Sequence, residues 1–271
     1  MREIKEDVNL IAEYRDKLFT DGYVHVKQLL KGEGLELLVK AINANMEKPS
    51  PFGRSNIGDS TDGQFFMDFN NWKRIPEIKE LCYRSEIVDL VTQITNSNKC
   101  WLFHDHVLVK SGKAPATPTH QDLPYYVAKG DLNLSVWITA NNVSKDSGLF
   151  YYSGTHKLKQ LYMPKSFIDG KDIEANDNFD IIDDNTFKDY PKHSFDMEAG
   201  DAIIFFHNTV HGAHPHNSEE PRRALSIRYL LDGATLTKKY INATPPYDRM
   251  GLKIEEDAPI PENFFPLVTN D

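Results

Sequence analysis

The run Leu132-Asn133-Leu134-Ser135-Val136-Trp137-Ile138-Thr139-Ala140 alternates with period two. Leu134, Val136 and Ile138 make one face, while Asn133, Ser135, Trp137 and Thr139 make the other. A strand that is greasy on one side and polar with a single indole on the other separates a core from a wet cavity. Further strand-like runs surround it: Trp101 to Lys110, Gly148 to Tyr152, Ser194 to Met197, and Ala202 to Phe206, the last two bracketing a turn at Glu198-Ala199-Gly200-Asp201. Short strands separated by turns and preceded by helices predict a mainly β chain, a sandwich or jelly roll with an N-terminal helical layer. No internal repeat, P-loop or GxGxxG occurs, which disfavours a doubly wound nucleotide fold.

Helical spacing places a first helix over Leu10 to Phe19, stopped by Thr20-Asp21-Gly22, a second over Leu35 to Met46 and a third over Pro76 to Ile94. Tyr23 to Val26 alternates as a short strand, with His25 in a structural role. Pro49 to Asn71 mixes Gly, Asn and Asp with Phe52, Phe65, Phe66 and Phe69, and reads as a long loop suited to a lid. Leu161 to Lys192 is a charged insertion with no clear period. Without any Pro/Ser/Gly-rich linker, residues 1–271 are expected to form one domain: a helical layer over about 1–98, a jelly-roll core over about 99–235 and a C-terminal tail over about 236–271.

Composition narrows the function classes. Hydrophobic residues at 40% and charged residues at 26% exclude a disordered chain. A formal charge of -9 leaves no basic stripe to neutralise phosphates, so nucleic acid is not an expected partner. No span approaches the ~20 apolar residues of a transmembrane helix, no membrane partner is expected, and the charged N-terminus is unlike a signal peptide. Two separated cysteines, Cys82 and Cys100, suit a reducing compartment, and a cytoplasmic location is expected.

The chemistry concentrates in Thr117-Pro118-Thr119-His120-Gln121-Asp122. His120 and Asp122, two apart in an extended segment, project to the same side and make half a metal site. A third ligand from a distant strand would complete the two-histidine, one-carboxylate face of non-haem Fe(II) oxygenases. Four histidines within ten residues compete for that place: His207, His211, His214 and His216. His211 follows a strand-like segment and precedes Gly212, whereas His214 and His216 flank Pro215 in a loop. Downstream, Arg222, Ala224, Ser226 and Arg228 share one alternating face, and Arg223, Leu225, Ile227 and Tyr229 the other. The first face suits a cavity, and an inward arginine there needs an anion: either a structural Asp or Glu, or a carboxylate of a bound cosubstrate.

These residues resemble the phytanoyl-CoA dioxygenase family of Fe(II)/2-oxoglutarate oxygenases. The resemblance runs through Phe19-Thr20-Asp21-Gly22-Tyr23-Val24, Pro118 to Asp122, Ser135 to Ile138, Ser153-Gly154-Thr155-His156-Lys157, Glu198 to Asp201, Val210-His211-Gly212 and Arg222 to Ser226. It implies a double-stranded β-helix fold, one Fe(II) held by His120, Asp122 and His211, and 2-oxoglutarate and O2 as cosubstrates. By position, Arg222 would bind the distal carboxylate of 2-oxoglutarate, and Gln121 and Trp137 would line its pocket. One departure is Ala213 where a small hydroxylic residue is common. Asp122 fills the position that related halogenases leave small for chloride, so hydroxylation is expected, with release of succinate and CO2. A small-molecule substrate is expected rather than an acyl-CoA, because no basic cluster suits a CoA phosphate tail; Phe65, Phe66, Tyr125 and Tyr126 are its candidate walls. Two other classes compete: a non-catalytic jelly-roll binding protein, and a non-oxidative cupin-type metal enzyme.

Overall fold

A computed structural model describes residues 7–55, 63–166, 171, 173, 179–183, 185–239 and 245–269. The Asp7 carboxylate accepts from the backbone N–H groups of Asn9 and Leu10 and so caps α1 (Val8–Asp21). Gly22 ends it at φ 91°, a left-handed conformation that a Cβ resists. After β1 (Tyr23–Val26) comes α2 (Glu33–Glu47), then β2 (Gly63–Phe69). The single helix expected over 76–94 is two, α3 (Pro76–Cys82) and α4 (Ser85–Thr95), with Arg84 extended between them. No Gly or Pro marks this break. It is set by packing, α3 lying on α2 while α4 lies on α1.

The strands that follow are β3 (Cys100–Gly112), β4 (Thr117–His120), β5 (Ala128–Lys129), β6 (Leu134–Thr139), β7 (Leu149–Tyr152), β8 (Lys192–Ser194), β9 (Ala202–Phe206), β10 (His211–Ala213), β11 (Ser218–Leu231) and β12 (Thr235–Leu236). A six-stranded sheet runs in the order β1-β9-β6-β11-β3-β2 and a four-stranded sheet in the order β4-β10-β7-β8, while β5 and β12 form a small third pair. Every pairing between these strands is antiparallel. The two main sheets make a double-stranded β-helix, and the helices cover the outer face of the larger one.

The alternation read from the sequence decides which side each residue takes. Leu134, Val136 and Ile138 of β6 join Leu225, Ile227 and Tyr229 of β11 in the core beneath the helices. Trp137, Ile203, Phe205 and Ala224 face the other way, toward Leu149, Tyr151 and Ala213 of the smaller sheet. The interior between the sheets therefore carries aromatic, small and polar groups, whereas the helix-facing core is aliphatic.

The 49–71 segment is not the continuous loop that its composition suggests. Its second part is β2, paired along β3 from Gly63 to Phe69, and the first-part residues 56–62 lie outside those described. The alternation of β2 splits the two phenylalanines: Phe65 clusters with Met67 and Phe69 on the cavity side, and Phe66 is buried in the helix-facing core. In the Leu161 to Lys192 insertion, residues 167–170, 172, 174–178 and 184 lie outside those described. Tyr162 and Phe187 of the rest pack against Val210 just before β10. Tyr247, Leu252, Ile260 and Phe265 of the C-terminal segment pack on Trp101, Phe103, Tyr125 and Tyr126 and close one end of the sandwich. Among the described residues no helix is long and apolar enough to cross a membrane.

Candidate metal centre

His120 ends β4 and His211 opens β10, and pairing of these strands makes the two residues direct Cα partners. Asp122 returns to the same side two residues after His120. His120 Nε2 lies 3.6 Å from Asp122 Oδ1, and His211 Nε2 lies 4.0 Å from the same oxygen. The donor atoms of the three residues fall within 4.8 Å of one another, and all three side chains are buried. Among the described residues they are the only such His/Cys/Asp/Glu group.

The backbone prepares the imidazoles as ligands. The Pro118 carbonyl lies 2.7 Å from His120 Nδ1, and the Thr209 carbonyl 3.0 Å from His211 Nδ1. A carbonyl can only accept, so each Nδ1 carries a proton, and Nε2, on the side of Asp122, is the atom that would ligate a metal. Burial, reinforced by His120, pulls His211 down to about 3, which keeps it in the neutral, metal-binding form. Burial alone would raise the Asp122 carboxyl, yet Arg228, His120 and His211 together hold it well below the usual carboxylate range. Two imidazoles and one carboxylate on one face of a cavity are the donor set of a divalent ion of intermediate hardness, and they would leave its other positions open.

Asp122 has a support of its own. Its Oδ2 accepts from Ser135 Oγ at 3.1 Å and lies 3.6 Å from Arg228 Nη2. Arg228 in turn donates from Nε to the Tyr126 hydroxyl oxygen. Arg228 is therefore the inward arginine that pairs with an acid of the chain itself, the Asp122 carboxylate.

Arg222 is different. It lines the same cavity, which encloses ≈ 500 Å³ of empty space with its mouth included. Its side chain is buried, with Nη1 donating to the Ser147 carbonyl at 2.6 Å and Cζ 6.0 Å from the Trp137 ring centre. No carboxylate of a described residue comes within ion-pair distance of it. Burial pulls Arg222 down to about 10, which still leaves a cation at neutral pH. Its Cα partner on β3 is Lys110, also fully buried. Lys110 Nζ donates to the Pro115 carbonyl at 2.6 Å and to Thr117 Oγ1 at 3.0 Å, and sits 4.8 Å from the Phe65 ring centre. Burial and the neighbouring Arg222 pull Lys110 down to about 6.

The other expected site residues divide. Trp137 and Phe65 line the cavity. Gln121 does not. Lying between two inward residues, it points outward, where Nε2 donates to the carbonyls of Asn208 at 3.0 Å and Gln160 at 3.3 Å, and Oε1 accepts from the Tyr162 N–H at 3.2 Å. Tyr125 and Tyr126 are not walls either, because a short 3-10 turn, Leu123–Tyr125, carries the chain out of the cavity right after Asp122. The Tyr125 hydroxyl donates to the Lys165 carbonyl at 2.8 Å, and Tyr126 holds Arg228. Phe66 lies on the far side of its sheet. His214 Nε2 lies 3.1 Å from Ser194 Oγ, and His216 Nε2 donates to the Glu220 carbonyl at 2.9 Å, so neither joins the group. Residues that sequence reasoning passed over are Lys110 and His106; the run Trp101 to Lys110 carries polar side chains at His104, Asp105, His106 and Lys110, and of these His104, His106 and Lys110 share the alternating face of Leu108, which was the available sign.

A double-stranded β-helix with two histidines and an aspartate converging between its sheets, and a buried arginine in the same cavity, defines a jelly-roll protein with a candidate metal site of two histidines and one carboxylate. Residues 19–224 match the phytanoyl-CoA dioxygenase (PhyH) family. The chain belongs to that family. A probable phytanoyl-CoA dioxygenase of Caenorhabditis elegans is 26% identical over 175 residues, covering 62% of this chain and 54% of that protein; the chain thus spans about half the length of this curated relative. Among solved structures, SnoN, a non-haem alpha-ketoglutarate-dependent epimerase from nogalamycin biosynthesis, is similar with a TM-score of 0.77 at 19% identity, covering 97% of this chain and 100% of that one. SnoK, a carbocyclase from the same biosynthesis, has a TM-score of 0.73 at 20% identity, with coverages of 95% and 96%. EctD from S. alaskensis has a TM-score of 0.67 at 15% identity, with coverages of 84% and 79%. These structural likenesses show the fold.

Proposed function

We propose that this protein is an Fe(II)- and 2-oxoglutarate-dependent dioxygenase that hydroxylates a small organic substrate and releases succinate and CO2. The observation that carries the reading is Arg222: a buried guanidinium with no carboxylate partner among the described residues, in the cavity that holds His120, Asp122 and His211. An uncompensated buried charge costs several kcal/mol. A bound carboxylate removes that cost and accepts two parallel hydrogen bonds from the guanidinium. A 2-oxo diacid would meet both demands: Arg222, beside Trp137, would hold its far carboxylate, and its 2-oxo acid end would be left for the metal held by His120, Asp122 and His211. Support comes from membership of the phytanoyl-CoA dioxygenase family and from the solved structures of SnoN with Fe3+ and alpha-ketoglutarate and of EctD with 2-oxoglutarate.

When bound, iron and 2-oxoglutarate supply O2 activation by oxidative decarboxylation. The chain's own part is positional. His120, Asp122 and His211 would hold the iron, and the Asp122 carboxylate fills the place a halide would need. Ser135 and Arg228 keep the Asp122 carboxylate oriented. Phe65, Leu108, Leu149 and Phe205 give the cavity apolar walls that exclude water from the reacting centre. The intact set of His120, Asp122, His211 and Arg222 counts against a non-catalytic binding protein, and a non-oxidative cupin-type enzyme would need no inward arginine paired with a 2-oxo acid.

The test is succinate formation by purified protein with Fe(II), 2-oxoglutarate, O2 and a metabolite library. Stimulated release that Asp122→Ala and His211→Ala abolish is the expected result; iron-independent turnover, or none with any library member, overturns it. Because SnoN is an epimerase and SnoK a carbocyclase, the product's mass decides the finer reaction. Gain of one oxygen atom is hydroxylation, an unchanged mass is epimerisation, and loss of two hydrogens is ring closure. Turnover of a CoA thioester but not of its free acid would defeat the small-molecule reading.

A further inference from the structure

Two polar side chains in the cavity have no task in the scheme above. His106 of β3 and Ser226 of β11 are direct Cα partners, so they stand side by side on the inner face. They are 3% and 1% exposed, and both line the cavity that holds the three ligands. Neither ring nitrogen of His106, nor the Ser226 hydroxyl, makes a hydrogen bond to another described residue. Buried polar atoms are nearly always paired, so those that face a cavity without a protein partner are open to a water or a ligand there; His104 and His207 also lack a hydrogen-bond partner among the described residues, but they do not line this cavity. Burial, together with Arg228, keeps His106 far below the usual imidazole range and therefore neutral. A neutral imidazole and a hydroxyl each offer one donor and one acceptor.

Resting on the iron and 2-oxoglutarate reading, we propose that His106 and Ser226 are the substrate-recognising wall of the site, and that the substrate is a neutral, oxygenated small molecule presenting a hydroxyl or carbonyl group to them. Their place in the strand order supports this. Ser226 lies midway along β11 between Arg222 and Arg228, so the pair faces the space between the cosubstrate arm and the Asp122 support. The charge balance supports a neutral group: Arg228 is matched by Asp122, Arg222 is committed to the cosubstrate, and Lys110, behind Phe65 and Thr117, is already bound to the Pro115 carbonyl and Thr117 Oγ1, which leaves no further arginine or lysine among the described cavity-lining residues for an anionic substrate. Phe65, Leu108, Leu149 and Phe205 provide the contact for a carbon skeleton. A plain hydrocarbon or acyl chain would bury two hydrogen-bonding groups against carbon. A site built to pair such groups rejects the analogue that lacks them.

The test uses Mn(II) in the iron site, whose unpaired electrons speed the relaxation of nearby ligand protons in solution NMR. Protein with Mn(II) and 2-oxoglutarate is mixed with matched small ring and chain fragments, each in hydroxyl, carbonyl, carboxylate and hydrocarbon form. The metal-dependent relaxation of the hydroxyl and carbonyl members, scaled to that of 2-oxoglutarate in the same sample, is expected to exceed that of the other two classes. Ser226→Ala, close to isosteric, and His106→Leu should each reduce that preference about fivefold, the equivalent of one neutral hydrogen bond. His106→Gln, which keeps a donor and an acceptor, should restore most of it. Preference for hydrocarbon or carboxylate fragments, no preference at all, or a preference intact in Ser226→Ala overturns the proposal. Absence of a metal effect on 2-oxoglutarate itself in the wild-type protein would instead remove the reading beneath it.

Discussion

Arg228 Nη2 lies 3.6 Å from Asp122 Oδ2, while the other oxygen of that carboxylate, Oδ1, faces the Nε2 atoms of His120 and His211. The carboxylate is thus held by the protein at one oxygen, which leaves the other on the side of the two histidines, where it could ligate a metal. Such supporting partners change metal affinity by 10–100-fold in general. Arg228→Met is therefore expected to weaken Co(II) or Fe(II) binding by roughly that factor. An unchanged titration would show that Ser135 alone orients Asp122.

Arg222→Gln is expected to raise the 2-oxoglutarate requirement about tenfold or more, the loss of a charge-assisted pair. Metal affinity should be nearly untouched, because Arg222 contacts Ser147 and Trp137 rather than the three ligands. Arg223→Gln is the control, since Arg223 faces the other way and donates to Asn43. Equal effects of the two substitutions on the cosubstrate KM would refute the assignment.

Gly212 lies in β10 where that strand approaches β4 and β7 closely. A Cβ there would stand 2.5 Å from Phe150 Cζ and 2.9 Å from the Thr117 carbonyl oxygen of β4. Gly212→Ala should push β10 from its neighbours, destabilise the fold by about 1–3 kcal/mol and spread His211 from His120. Denaturant unfolding and metal titration read the two effects; a variant as stable and as metal-avid as wild type would contradict the packing.

Asp105 gives a pH dependence. Its Oδ1 accepts from the Trp72 N–H at 2.8 Å, and burial raises its carboxyl from 3.8 to about 7. Because the folded value is the higher one, this group's contribution to stability is complete below pH ~4 and is lost as pH rises through about 7. Asp105→Asn keeps an acceptor for Trp72 and removes the titration. The variant should gain about 2 kcal/mol on wild type between pH 5 and pH 7 in urea melts. Parallel stability curves would mean the carboxylate stays ionised in the fold.

The sequence by itself determined the sidedness of this protein. In β6 and β11 successive side chains must point to opposite faces, so Leu134, Val136 and Ile138, or Leu225, Ile227 and Tyr229, could only go together to the helix-facing core. The same rule put Arg222, Ser226 and Arg228 in one cavity and held His120 and Asp122 on one side. What period two cannot express is which strand lies next to which. Only the pairing of β4 with β10 brings His211, rather than His214 or His216, opposite His120. Only the tertiary contacts separate the two inward arginines, one matched by Asp122 and one left without an acid among the described residues. The strand at 63–69 was hidden by the Gly- and Asp-rich composition before it, and the turn after Asp122 took Tyr125 and Tyr126 out of the cavity. Register, turns and charge pairing are long-range choices, settled by the packing of segments far apart in the chain; local alternation is fixed by the geometry of each residue on its own strand.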